Sequence, residues 1–473
     1  MSAAATIRPL LDRQRAAHIA ALPVDAATRK ARIQRVIDLL VKHNDALCNA
    51  MSEDFGGRPA VFSMLNDVVG SLGMLKHARD KLQDWMADEP RTSPAPFDSF
   101  GASAWVQYQP KGVVGIIGSW NSPLFTLLSP LASVFAAGNR ALLKPSEVTA
   151  RTAEVLAAAV AEFFDTDELA VVNGRRDVTI AFSEQPWDHL VYTGSTTVGR
   201  QMMHAAAQNL VPLTLELGGK SPVLVGRSAD IRNAAERIAV GKGTNSGQIC
   251  VSPDAVWVPQ ERREEFLAAV REVYLGLYPR AASNPDVVPV VNTRHVERVE
   301  RYVRDAQERG ARVEVIGDAA QLGSADRRLP LRVVVEPPAE AEIAHEEIFG
   351  PAFVLRGYRD IGDVVAEINA GPRPLALYYF GNDAAEQKWV LDHTLSGGVA
   401  INDVLMHAAV ADAPFGGVGA SGMGHYHGRE GFVEFSHTRT VYRAGAHDPR
   451  REWGMLPPYQ EAFVQMIRAA VTP

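Results

Sequence analysis

Cysteine is scarce. Cys48 and Cys250 are the two thiols in 473 residues, too few for a disulfide framework or a thiolate metal cluster. One bridge is arithmetically open, but this usage fits a reducing compartment. The histidines are scattered, and the nearest pair, His425 and His427, lacks metal-ligand spacing, so no metal is expected. There is no excess of basic charge. Against 55 acidic side chains stand 48 basic ones, a net of −7, which builds no field for nucleic acid or an anionic membrane surface. The first residues, Met-Ser-Ala-Ala-Ala-Thr, carry no basic region leading into an apolar run, so no signal peptide is expected. The apolar stretch Leu124–Ala137 is interrupted by Ser129, Pro130 and Ser133 and is too short to span a bilayer. A cytoplasmic location is the simplest expectation. No tandem repeat is present.

The length implies two or three domains. Arg8–Ala21, Ala26–Met51 and Val61–Met86 place apolar residues at helical spacing. Three prolines between Asp88 and Pro96 then mark a connector. Ser103–Pro110 reads as a strand that leaves the main core as an arm. From Val113 onward short apolar runs alternate with amphipathic segments. The strands Val113–Gly118, Arg140–Lys144, Leu169–Val172 and His189–Thr193 alternate with helices, which predicts a parallel α/β sheet covered on both faces. A second α/β unit is expected to open at Leu213–Leu217. The domain limits that follow are residues 1–213 for the N-terminal helices and a nucleotide domain, 214–402 for a catalytic domain, and 403–473 for a return segment and tail. Gly317–Arg328 is expected to be a surface loop, and Thr438–Arg443 a late strand that completes the arm.

Chemistry concentrates around Gly243-Thr-Asn-Ser-Gly-Gln-Ile-Cys250. A lone intracellular cysteine is commonly a small buried hydrophobe, whereas a reachable thiolate among glycines is a nucleophile. Glu216 ends an apolar run before Gly218 and Gly219, where a general base could sit. Gly194-Ser-Thr-Thr-Val-Gly199 follows a strand and opens a helix, an anion-binding arrangement. It lacks the G-x-G-x-x-G spacing, so by itself it is weak evidence beside the plain reading of a helix cap after a close strand-to-helix turn. Lys144 and Glu147 close another strand, where α/β sheets bind ligands, or they form a surface pair around a proline turn. Asn121 could donate to an oxyanion or shape a turn before Ser122 and Pro123.

Jointly these segments resemble the aldehyde dehydrogenase superfamily. The matching pieces are Trp120-Asn-Ser-Pro123, Lys144-Pro-Ser-Glu147, Thr193-Gly-Ser195 with Gly199, Glu216-Leu-Gly-Gly-Lys220, Asn245-Ser-Gly-Gln-Ile-Cys250, Glu347-Ile-Phe-Gly-Pro351, Asn402 and Pro414-Phe-Gly-Gly417, in family order over almost the whole chain. The ending Ser421-Gly-Met-Gly-His-Tyr-His-Gly428 is most similar to the branch with coniferyl aldehyde dehydrogenases and fatty or aromatic aldehyde enzymes.

The resemblance implies a Rossmann-type cofactor domain, a second α/β catalytic domain and a small β oligomerisation arm. It implies oxidation of an aldehyde to its acid with NAD, or NADP, as cofactor. Cys250 would be the nucleophile and Glu216 the base. Asn121 and the Cys250 backbone N–H would form the oxyanion hole. Lys144 and Glu147 would contact the adenosine ribose, Ser195 the pyrophosphate, and Glu347 and Phe349 the nicotinamide ribose and ring. Trp120, Ser146, Thr193, Gly194, Gly199 and Leu217 complete the expected cofactor site, and Asn402 would support the substrate. Aromatic aldehydes lead and aliphatic ones follow. A CoA-acylating enzyme is disfavoured by Glu216, and a structural protein by the presence of both Glu216 and Cys250. A homodimer is implied, with a tetramer as the alternative. Tyr192 departs from the usual Phe, His425 and His427 read as structural, and Met406 and His407 as substrate mouth or plain loop.

Overall fold

The computed structural model describes residues 3–318 and 326–471. Residues 319–325, the middle of the expected Gly317–Arg328 loop, lie outside the described residues.

Two mostly parallel sheets carry the fold. The first has the strand order Gly422–Met423, Leu213–Glu216, His189–Thr193, Val113–Ile117, Arg140–Lys144, Leu169–Val171. Its middle strands are buried on both faces, which is why they read as continuous apolar runs. Side chains still alternate. Val113, Ile117 and Leu142 face a layer containing Ile7, Leu11, Phe182 and Met202, while Val114, Ile116 and Leu143 face Leu40, Leu131 and Leu156. Helices Ala3–Ala20, Arg176–Ser183 and Thr196–Ala207 therefore cover one face, and Ala26–Phe55, Phe125–Ala136 and Ala150–Phe163 the other.

The second sheet runs Arg312–Ile316, Leu331–Val335, Ala352–Tyr358, Ala255–Pro259, Pro222–Val225, Ala376–Phe380, Gly398–Ile401. All its neighbours are parallel except the first pair. Val223, Val256, Val333 and Phe380 share one core with the first sheet, so a single packed layer joins the two.

The expected boundary at residue 213 needs correction. Leu213–Glu216 belongs to the first sheet, in parallel register with His189–Thr193. Its apolar residues Leu215 and Leu217 pack beside Leu190 and Tyr192, so burial holds it there. The chain crosses to the second sheet over Leu217–Ser221. The return segment is likewise part of the first sheet, since Gly422 pairs with Glu216 and Met423 with Leu215.

The arm is three-stranded. Ser103–Pro110 pairs along its whole length with Ser436–Arg443. Glu89–Arg91, expected as connector, is the third strand, and Pro90 is tolerated because it lies on an edge. The helix expected over Val61–Met86 is interrupted by a π-helical turn at Met64–Val69. Among the described residues no helix is long and apolar enough to cross a membrane, and no group of side chains could hold a metal ion.

Candidate active site

Cys250 follows a strained loop. Asn245, Ser246 and Gly247 have φ of 48°, 52° and 71°, three successive left-handed residues, two of them not glycine. The surroundings hold them there. Asn245 Nδ2 donates to the Gln248 carbonyl (3.0 Å) and to the Asn121 carbonyl (3.1 Å). Gln248 Nε2 donates to the carbonyls of Asn245 (2.9 Å) and Pro289 (3.2 Å), and its Oε1 accepts from Val291 N–H (2.9 Å). Ser246 Oγ donates to the Val288 carbonyl. Gly247 is required twice, by its φ and because a Cβ would run into the Gly350 carbonyl oxygen. After the cysteine, the Tyr378 hydroxyl ties down the Val251 carbonyl.

Glu216 ends a strand of the first sheet and Cys250 lies in the loop before the second sheet's strand Ala255–Pro259, yet the carboxyl and the thiol are close enough to perturb each other. Burial raises the Glu216 pKa from 4.5 to about 7, with contacts to Cys250 and Thr193 pulling the other way. Its Oε1 has no hydrogen-bond partner. Cys250 keeps partial exposure, but burial first, and then the charges of Glu216 and Glu347, push its thiol well above the ordinary value. Its own backbone N–H favours the thiolate. The resting pair is thus a thiol beside a carboxyl poised near neutrality.

Asn121 is buried where the strand Val113–Ile117 gives way to the helix Phe125–Ala136. Its Nδ2 donates to the Gln248 carbonyl at 3.2 Å, two residues before Cys250. Asn121 and Glu216 thus both lie beside the segment that ends in Cys250.

Apart from Glu347 and Phe349, the expected cofactor residues lie at or just beyond the carboxyl ends of the first sheet's strands, where such sheets bind ligands. Lys144 is buried; its Nζ donates to the Pro145 carbonyl (2.6 Å) and lies 4.0 Å from the half-exposed Glu147. Burial lowers its pKa, and Glu147 counters this. Ser146 Oγ accepts from Val148 N–H (3.2 Å) and shapes the turn between them. Ser195 is exposed at the N-cap of the 12-residue helix Thr196–Ala207, where its Oγ accepts from Val198 N–H at 3.4 Å; a helix start of this kind suits an anion. Gly194 and Gly199 are tight: a Cβ on the first would meet the Tyr192 hydroxyl, and one on the second would sit 2.8 Å from Leu217 Cδ2. The departure at Tyr192 thus packs its phenol beneath this turn. Thr193 Oγ1 is buried without a well-formed hydrogen bond.

On the segment before the strand Ala352–Tyr358, partly buried Glu347 has its pKa raised to about 8 by burial and by Asp254, with the Gly219 N–H and Arg298 opposing. Phe349, at φ 44°, stands edge-on to Trp120 at 5.3 Å. The buried donor at Lys144, the open helix start at Ser195 and the carboxylates at 147 and 347 suit the phosphates and hydroxyls of a dinucleotide.

Other residues matter that sequence reading passed over. Arg298 clamps three successive carbonyls, of Glu347 (3.3 Å), Ile348 (2.7 Å) and Phe349 (3.1 Å). Tyr426 is buried beside Glu216, Cys250 and Thr193, and burial first raises its phenol pKa. Lys242 is buried under the loop, 3.4 Å from Ser252 Oγ, with its pKa lowered to about 8 by burial. Asn402 staples Gly381 through both ends of its amide, at 2.9 and 3.1 Å, and so pins a strand end. His427 is buried against Ser129 and stacks on Phe415, which suits a structural role. His407 packs on Tyr378, with neither ring nitrogen hydrogen-bonded.

The sequence profile of the aldehyde dehydrogenase family matches residues 3–441. A probable coniferyl aldehyde dehydrogenase of Caulobacter vibrioides is 47% identical over 470 residues, 99% of this chain and 97% of that one. A coniferyl aldehyde dehydrogenase of a Pseudomonas species is 45% identical, covering 91% of this chain and 89% of its own. Among solved structures, a substrate-bound Staphylococcus aureus AldH superposes with a TM-score of 0.91 at 31% identity, covering 98% and 99%. A Pseudomonas syringae indole-3-acetaldehyde dehydrogenase in complex with NAD+ has a TM-score of 0.84 at 25% identity, covering 93% and 89%.

Proposed function

Because this chain belongs to the aldehyde dehydrogenase family, and so oxidises an aldehyde with NAD or NADP, we propose that its substrates are aromatic aldehydes of the coniferyl type. The observation that carries the chemistry is the closeness of the Glu216 carboxyl, at the end of a first-sheet strand, to the Cys250 thiol, in the loop that leads into the second sheet. Likeness over nearly the full length to coniferyl aldehyde dehydrogenases supports the substrate class.

In this reading Glu216 takes the thiol proton and the Cys250 sulfur adds to the aldehyde carbon. The Asn121 amide and the Cys250 N–H hold the oxyanion of the thiohemiacetal. Lys144 and Glu147 would hold the adenosine ribose, Ser195 at its helix start the pyrophosphate, and Glu347 the nicotinamide ribose. Phe349 and Trp120 would lie against the ring, and Ser146, Thr193, Gly194, Gly199 and Leu217 would shape the walls. Bound NAD supplies the hydride acceptor. Cys250 then carries the acyl group as a thioester; Glu216, once its first proton has passed to solvent, takes a proton from the water that attacks the thioester, and the acid leaves as that proton returns to the Cys250 sulfur. A base at residue 216 favours hydrolysis over transfer to coenzyme A. The Glu147 carboxylate disfavours a 2′-phosphate, so NAD is preferred to NADP. The reading includes a cytoplasmic homodimer joined through the arm, whose edge strand Ser436–Arg443 offers unpaired backbone.

The test is steady-state kinetics with coniferyl aldehyde, benzaldehyde and decanal, each with NAD and NADP, and product analysis by mass spectrometry. Coniferyl aldehyde with NAD should give the highest kcat/KM and the free acid. A tenfold preference for decanal would overturn the substrate class, and turnover by Cys250→Ala would overturn the nucleophile.

A further inference from the structure

One buried ion pair remains outside the chemistry described so far. Arg58 and Asp67 have no side-chain exposure, and Arg58 Nη2 lies 2.6 Å from Asp67 Oδ2. Such a pair costs much of its Coulombic gain in desolvation, so it is a poor way to add stability. Its geometry points elsewhere. Arg58 Nη1 donates to the Asn121 carbonyl at 3.1 Å. Asp67 Oδ1 accepts from the N–H groups of Leu124 (3.1 Å) and Phe125 (3.3 Å), capping the helix that follows. Asn66 Nδ2 links Asp67 Oδ2 (3.1 Å) to Ser122 Oγ (3.0 Å). The short segment from Asn121 to Phe125 is thus held at four points by three neighbouring side chains.

The holder is itself rigid. The Arg58 guanidinium lies between the rings of Phe55 and Phe62, at 4.9 and 4.7 Å. Asp67 sits in the π-helical turn Met64–Val69, and such turns in a helix are frequent at functional sites. The wider turn places this carboxylate where it can reach the next helix start.

We propose that the Arg58–Asp67 pair is a positioning device for Asn121, fixing the peptide that carries the amide so that the amide meets the oxyanion formed at Cys250. This rests on the reading of Asn121 as an oxyanion donor. Displacing such a donor by about 1 Å can cost on the order of 100-fold in rate.

A double-mutant cycle tests it. Removing Arg58 alone strands a buried carboxylate, so the working variant is Arg58→Met with Asp67→Leu, which removes both charges together. Arg58→Lys serves as the conservative partner. Turnover of coniferyl aldehyde should fall about 10- to 100-fold in the double variant. It should recover in part in Arg58→Lys, while the Kd for NAD stays within about twofold. In an Asn121→Ala background the same change should cost nothing further. An equal loss in both backgrounds, or no loss at all, overturns the proposal. If the double variant does not fold, the same comparison with Arg58→Lys decides by the same criterion. Full activity in Asn121→Ala alone sinks the oxyanion reading and this inference with it, whereas activity in Cys250→Ala sinks the broader mechanism.

Discussion

The carboxylate of Glu347 lies directly against the Cα of Gly218, so close that a methyl group on residue 218 would overlap both carboxylate oxygens. The first lies before the strand Ala352–Tyr358 and the second on the crossing between the two sheets. Gly218→Ala should push Glu347 off the Gly219 N–H and out of position for a ribose. The expected result is a rise of about tenfold in KM for NAD, with the rate of Cys250 alkylation by iodoacetamide within about twofold of wild type. Initial-rate kinetics and mass spectrometry measure the two.

Glu216 must be ionised to accept a proton, and its pKa is raised to about 7. Turnover should therefore climb as pH rises through about 7. Glu216→Gln should remove that limb and lower kcat by about 100- to 10,000-fold. A pH–rate profile of both forms checks it, and an unchanged rising limb in the variant would assign it to another group.

The same shift has a stability consequence. The folded carboxyl holds its proton more tightly than the unfolded one, whose pKa is 4.5. Its penalty is absent below about 4.5, grows as pH rises, and is complete above about 7, reaching on the order of 3 kcal/mol. Glu216→Gln should then raise Tm little at pH 5 and several degrees at pH 8. Thermal unfolding at the two values measures it.

Gly247→Ala combines a left-handed φ with a collision against backbone. A loss of about 1–3 kcal/mol is expected, together with disordering of the loop that presents Cys250. Denaturant unfolding gives the first, and loss of aldehyde turnover the second.

Much of this was legible beforehand where local residues decide local structure. The alternating strands from Val113 to Thr193 appear in the sheet as expected, because each apolar run is buried on both faces. Cys250, Glu216 and Asn121 stood out because glycines and turn residues flank them. Sheet membership was not legible: nothing within Leu213–Glu216 says which neighbour it will pair with, and only packing against Leu190 and Tyr192 decides. Glu89–Arg91 was hidden by its proline. Arg58 and Asp67, nine positions apart, look like ordinary solvated charges in sequence, as do Arg298 and Lys242. Their burial is a property of the assembled interior, and Tyr426 sat in a glycine-rich stretch without any periodic signal.

The pairing of Gly422 with Glu216 has a temporal side. The strand bearing the base is an open edge until a segment some two hundred positions later arrives beside it. During synthesis the thiol at 250 therefore leaves the ribosome well before its partner acid is locked in place. A nascent or prematurely terminated chain therefore carries the sulfur before the strand that bears Glu216 has gained its second neighbour.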